Sequence, residues 1–202
     1  PRILEPPVVR DSTWVRNGID RFVLARMESE GIEPSPEASR STLVRRLSLD
    51  LTGLPPPPDQ ALGFVNDDSP EGYSRLVERL LASPHFGERK AQDWFDLARF
   101  ADTSGYAADR TRNVWPYLDW VISAFNENMP YDRFSIDQLA GDLLPGATPE
   151  QRVASAFHRH AMQAKGNNPR KEEFRIKGIV DRLEATGRTW LGLTLELSLI
   201  HI

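Results

Sequence analysis

Residues 99–117 hold the densest mixture of polar and aromatic groups in the chain: Arg99, Asp102, Tyr106, Asp109, Arg112, Trp115 and Tyr117. Carboxylates such as Asp102 and Asp109 can hold a cation or trade protons with a substrate. Guanidinium groups such as Arg99 and Arg112 can fork onto an anion. Tyr106 and Trp115 can stack on a sugar or another planar face, with Tyr117 beside them. Such a stretch reads as a ligand cleft or, alternatively, as a loop pinned to the preceding helix by an Arg99–Asp102 ion pair. The spacing predicts that pair to be buried or half-buried. A calcium loop of the EF-hand type is excluded: it needs oxygen ligands at alternate positions and a Glu at the twelfth. Counting from Asp102, Tyr106 falls at the fifth position and Asn113 at the twelfth.

A second group begins with His158 and His160 and continues through Lys165, Asn167 and Asn168 to Glu172, Glu173 and Arg175. Histidines two apart on a helix point in different directions and chelate poorly. Glu173 could complete a His and carboxylate site for zinc or iron. The competing reading makes one histidine a surface residue and the other a structural one. It makes the carboxylates favourable partners of a helix N-terminus. His158, His160 and Glu173 are therefore weak metal suspects, and the expectation is that no transition metal is tightly bound. Further along, Asp181 and Glu184 are i,i+3 neighbours and Glu173 and Lys177 an i,i+4 ion pair.

Stronger signatures are missing from the sequence. It has no glycine-rich phosphate loop, no His-Glu-x-x-His and no serine elbow. Basic residues come only in short pairs, Arg45-Arg46 and Arg89-Lys90, so a nucleic-acid partner is not expected. The net charge is -4. With no cysteine among 202 residues, a disulfide, a thiolate zinc site and a cysteine nucleophile are ruled out. No apolar run approaches the roughly 20 residues of a membrane span. The chain opens at Pro1, which suggests a piece of a longer protein.

The elements that must position these groups read as helices. Ser69-Pro70, Ser83-Pro84, Thr148-Pro149 and Asn168-Pro169 each place a polar cap before a proline. That is a helix start, because the cap satisfies an orphan amide and proline has none to leave. Asn17 with Asp20 approximates a capping box. Apolar residues then recur at helical spacing over 17–30, 41–51, 58–65, 70–82, 87–100, 116–125, 132–144, 149–160 and 169–191. The only strand-like piece is 193–202. The prediction is an all-α fold of eight or nine short helices with one long C-terminal helix. It divides into an extended segment 1–16, a helical domain 17–196 and a divergent tail 197–202. The apolar tail suggests self-association. A hydrophobic face left open around Trp190 would point to a missing neighbouring domain.

Several long stretches carry a family resemblance. They include "IDRFVLARMESEGIEPSPEA", "LVRRLSLDLTGLPPPP", "WFDLARFADTSGY", "WPYLDWVISAFNENMPYDRFSIDQLAGDLLPGAT" and "FRIKGIVDRLEATGRTWLGLT". Over roughly 17–195 the chain resembles the cytochrome-associated domain of unknown function abundant in large exported proteins of planctomycetes and verrucomicrobia. The resemblance implies Arg99, Asp102, Tyr106, Trp115, Asp119, Asp132, Gln138, Asp142, Glu173, Arg175, Asp181 and Arg182 as characteristic polar positions. It also implies an extracytoplasmic setting, with partners among other domains of the same polypeptide. Leu118 departs from it, since relatives carry arginine there. The larger departure follows "TWLGLT". The family continues with Cys-Ala-x-Cys-His, where this chain has Leu197, Ser198, Leu199, Ile200 and His201. The resemblance leaves haem c to the full-length protein, and this chain is expected to hold no cofactor.

Three functions are thus open. The first is a non-catalytic helical module of a larger exported protein. The second is a carbohydrate-active or other hydrolytic domain using Asp102, Asp109 or Glu173. The third is a haem or metal protein that ends before its ligands.

Overall fold

The computed structural model describes residues 4–104, 110–160 and 171–195. Among them are nine α-helices and no strand, so the protein is all-α as its periodicity predicts. The chain divides between Ser39 and Arg40 into two compact units.

The first unit contains α1 (Gly18–Ser29). Asn17 accepts hydrogen bonds from the amides of Ile19 and Asp20, and the Asn17 amide donates in return to the Asp20 carboxylate. This reciprocal cap satisfies three donors that a helix start would otherwise orphan. The preceding segment is tied to the same helix by the Arg10 amide, which donates to Glu28. Val9 and Leu24 are buried.

The second unit opens with α2 (Arg40–Thr52), α3 (Pro58–Val65) and α4 (Gly72–Leu81). Val44, Phe64, Leu76 and Leu80 form their shared core. The helix predicted to start at Ser69-Pro70 begins two residues later. Asp67 takes both the amide and the hydroxyl of Ser69 and is paired with Arg75. Ser69 is therefore held in a turn and does not cap the helix.

Next come α5 (Pro84–Leu97) and α6 (Trp115–Asn126), the most extensively packed pair. Ser83 caps α5, so the helix starts three residues before the apolar pattern does. The two helices approach most closely at Gly87. A Cβ there would lie 2.4 Å from the carbonyl oxygen of Ile122, so only glycine fits. Its amide donates to Asn126, whose side-chain amide donates in turn to the Pro84 carbonyl.

Helix α7 (Tyr131–Ala140) was predicted to run on to 144. Instead it tightens into a 3₁₀ turn, Gly141–Leu143, where Gly141 passes against the backbone of Gln151. Helix α8 (Pro149–Ala154) starts on the Thr148–Gln151 capping box and also ends in a 3₁₀ turn, Ser155–Arg159. Helix α9 (Lys171–Thr186) continues as a wider π turn, Gly187–Leu191, which stops at Gly192 with φ 64°. Its predicted start near Asn168-Pro169 lies outside the described residues, as does the tail 197–202. The strand-like reading of 193–202 is not met at residues 193–195, which belong to no strand.

The centre of this unit is aromatic. Trp94 meets Phe134 edge-on with centroids 4.8 Å apart, and it also contacts Trp190 and Phe157. Leu191 is 66% exposed, whereas the neighbouring Trp190 is partly buried. Its ring packs on Phe157, and its indole N–H donates to Ser135.

Candidate functional site

The sequence-predicted cleft does not assemble among the described residues. Arg99 follows α5 in a left-handed backbone conformation, φ 53°, which costs a non-glycine residue about 1 kcal/mol. That conformation sends its side chain to α9, where it pairs with Asp181 and, at 3.0 Å, with Glu184. The predicted Arg99–Asp102 pair is thus corrected. The partners of Arg99 lie more than eighty residues away, and the Asp102 side chain is exposed.

Arg112 is used as a brace. Its Nε donates to the Thr103 carbonyl at 2.6 Å and its terminal nitrogens to the carbonyls of Arg159 and His160. Thr103 and Thr111 form an antiparallel bridge that closes the base of the loop. Trp115 is 61% exposed, whereas Tyr117 is buried. The Tyr117 hydroxyl donates to Gln138 at 2.7 Å, and the Trp94 indole N–H is shared between that hydroxyl and Gln138. Burial pushes the Tyr117 phenol well above its usual pKa. Tyr106 and Asp109 lie outside the described residues.

The histidine group separates as well. Glu173 pairs with Lys177 at 2.6 Å. His160 is 5% exposed and lies between the rings of Phe100 and Tyr117. Neither of its ring nitrogens has a hydrogen-bond partner among the described residues, and burial, reinforced by Arg112, holds its pKa down at about 4. His158 is half-buried, with an unpartnered Nδ1. Burial and then Arg182 lower its pKa. Among the described residues no three His, Asp or Glu side chains converge to hold a metal ion. Haem c does not fit the residues of this chain either, because covalent attachment needs thiols and the sequence has none.

Of the concave regions in this unit, two adjoin α7. One, of about 520 Å³, lies between α6, α7 and α8. Trp120 and Met129 line it, with Asp119, Glu127, Asp137 and Glu150 supplying acid. The buried Asp137 is already engaged. It accepts from the Gln151 side chain at 3.1 Å and faces Arg133 at 3.7 Å. The other, of about 600 Å³, runs beside α9 and includes Leu139, His158, Arg159, Ile179, Arg182 and Leu183. Sequence reasoning did not single out Arg159, Leu139 or Asp137. They sit on short elements whose neighbours come from distant parts of the chain, and no local spacing announces them.

No curated protein and no solved structure matches the chain. Among the described residues no helix is long and apolar enough to cross a membrane. A family model does match, over residues 18–198, nearly the whole sequence and the same stretch in which the resemblance was read. The chain belongs to the PSCyt2 family, described as a protein of unknown function (DUF1549).

Proposed function

We propose that this chain is a helical packing module of a larger exported, cytochrome-associated protein and performs no catalysis of its own. One observation carries the reading: the side chains best suited to chemistry are used as internal braces. Arg99 is paired with Asp181 and Glu184, and Arg112 holds three carbonyls. Tyr117 is locked to Gln138, and Glu173 is paired with Lys177. A hydrolytic site needs two carboxylates with separated pKa values beside a cleft. Asp102 is exposed, neither it nor Glu173 lines a concave region among the described residues, and Asp109 lies outside them. The partners are other domains of the same polypeptide, and any haem belongs to them. Leu191 and Leu193, 66% and 50% exposed just beyond α9, offer apolar contact for such a neighbour.

Hydrolysis of a panel of aryl glycosides and aryl esters tests the absence of catalysis. The expected rate equals the buffer blank for both the wild-type chain and an Asp102→Asn/Glu173→Gln double variant. A wild-type rate that the double variant abolishes overturns the reading. The setting is tested by fractionating the native host with an antibody to this domain. The expected signal is extracytoplasmic and coincides with a haem-staining polypeptide. A cytoplasmic signal without haem overturns that part.

A further inference from the structure

The groove beside α9 leaves its cationic groups unspent. Arg159 and Arg182 both line it, and neither side chain is paired with a carboxylate among the described residues. Asp142 lines it too but is paired with neither arginine, so the lining carries a net positive charge. The buried Nδ1 of His158 has no hydrogen-bond partner.

The rest of the groove is apolar. Ile179 and Leu183 are i,i+4 neighbours on α9, 45% and 52% exposed, and Leu139 of α7 faces the same space at 39%. The volume of about 600 Å³ lies within the roughly 300–1,000 Å³ of small-molecule sites, which combine an apolar lining with a few convergent polar groups.

We infer that this groove binds an aliphatic carboxylate, its head between Arg159, Arg182 and His158 and its chain along Leu139, Ile179 and Leu183. Guanidinium groups favour a carboxylate because their planar donors match its two oxygens. An alkylammonium would meet the same apolar wall but face repulsion from both arginines. A short carboxylate such as acetate would pair with the arginines but forfeit the wall. The site takes no part in the packing role proposed above and stands or falls separately from it.

Octanoate is the probe, titrated into the purified chain and followed by calorimetry and by the melting temperature. Octylammonium and acetate are the controls. Octanoate is expected to bind saturably, with both controls at least tenfold weaker. Arg182→Gln and Arg159→Gln are each expected to weaken octanoate about tenfold, and Leu183→Gln about fivefold. These three residues are exposed, so the unliganded melting temperature should hold. Should a variant fail to fold, the wild-type comparison of octanoate with octylammonium still decides the matter. Equal binding of octylammonium, unaltered octanoate binding in Arg182→Gln, or no saturable response to octanoate each overturns the inference. As a readout specific to the head group, bound octanoate should shift the His158 ring resonances in an NMR titration. Unmoved resonances at saturation would refute the assigned orientation.

Discussion

The aromatic centre between α5, α6 and α7 and the flank beside α9 use polar groups in opposite ways. In the centre, the Trp94 indole, the Tyr117 hydroxyl and the Gln138 side chain satisfy one another, and the Gln138 amide also donates to the Phe134 carbonyl. On the flank, the Nδ1 of His158 is unpaired and Arg182 has no carboxylate partner among the described residues, while His160, against the Tyr117 ring, leaves both ring nitrogens unpaired at the edge of the centre. Polar groups that close among themselves fix a structure. Polar groups left over are available to something else. This chain keeps the two uses apart, and the contrast can be broken at several points.

The largest effect belongs to the centre. Trp94 is 7% exposed and touches Phe134, Phe157 and Trp190. Truncation leaves a cavity and strips Tyr117 and Gln138 of a shared donor. Trp94→Ala should cost about 4 kcal/mol in chemical denaturation. A loss below about 1 kcal/mol would mean that the centre is loosely packed, and the contrast would fail.

The edge of the centre should report itself through pH. Burial holds His160 at about 4, below the ordinary histidine value of 6.5. As pH falls, the unfolded chain therefore takes up the proton first. The stability tied to the neutral imidazole is fully present above about pH 6.5 and is lost as pH drops towards 4. The loss amounts to about 3 kcal/mol over that window. His160→Leu removes the titration and also two unpaired nitrogens. At pH 7 it should be neutral or stabilising, and its stability between pH 6.5 and 4 should fall less steeply than the wild type's. Parallel curves for the two proteins would show that His160 is not held neutral.

Two arginines then sharpen the contrast. Arg99 holds Asp181 and the largely buried Glu184, while Arg182, one residue further along α9, holds neither. Removing Arg99 strands two carboxylates. Because Arg99 and Asp181 are each about a third exposed, solvent screens part of the penalty. Arg99→Ala should cost about 2 kcal/mol and Arg182→Gln less than about 0.5 kcal/mol, both read from urea melts. Equal costs would place Arg182 among the braces and remove it from the groove.

Local chemistry explains what the sequence disclosed. The caps at Asn17, Ser83 and Thr148 act within three residues, so spacing alone reveals them. Spacing misled where a second local partner competed, as when Asp67 captured Ser69. It also misled where a distant backbone intruded, as at Gly141 against Gln151. The family resemblance raised Gln138 without giving it a partner, and helical spacing put Asp181 and Glu184 on one face without supplying Arg99 to it. The roles of Arg99, Tyr117 and Arg182 depend on neighbours 20 to 80 positions away, and no helical period encodes those. A leftover charge is harder still to see, since it is defined by partners that fail to arrive.

The smallest effect belongs to the Asp102 carboxylate. Asp102 was expected to anchor the loop by pairing with Arg99, which would make its removal costly. In the structure its contribution is made by the backbone, whose carbonyl accepts from the Arg112 amide at 2.6 Å. The ladder around it is completed by the Ser104 amide on the Arg110 carbonyl and by the Arg110 amide on the Ser104 hydroxyl. None of these bonds uses the Asp102 carboxylate, so Asp102→Ala leaves them all in place. Its cost should stay within about 0.5 kcal/mol, the scale of ordinary surface substitutions. A double-mutant cycle with Arg99→Ala should give coupling indistinguishable from zero, because the two side chains share no partner. Coupling above about 1 kcal/mol would restore the Arg99–Asp102 pair. It would also release Asp181 and Glu184 to the flank, adding carboxylates beside a groove whose recognition of an anion depends on positive charge.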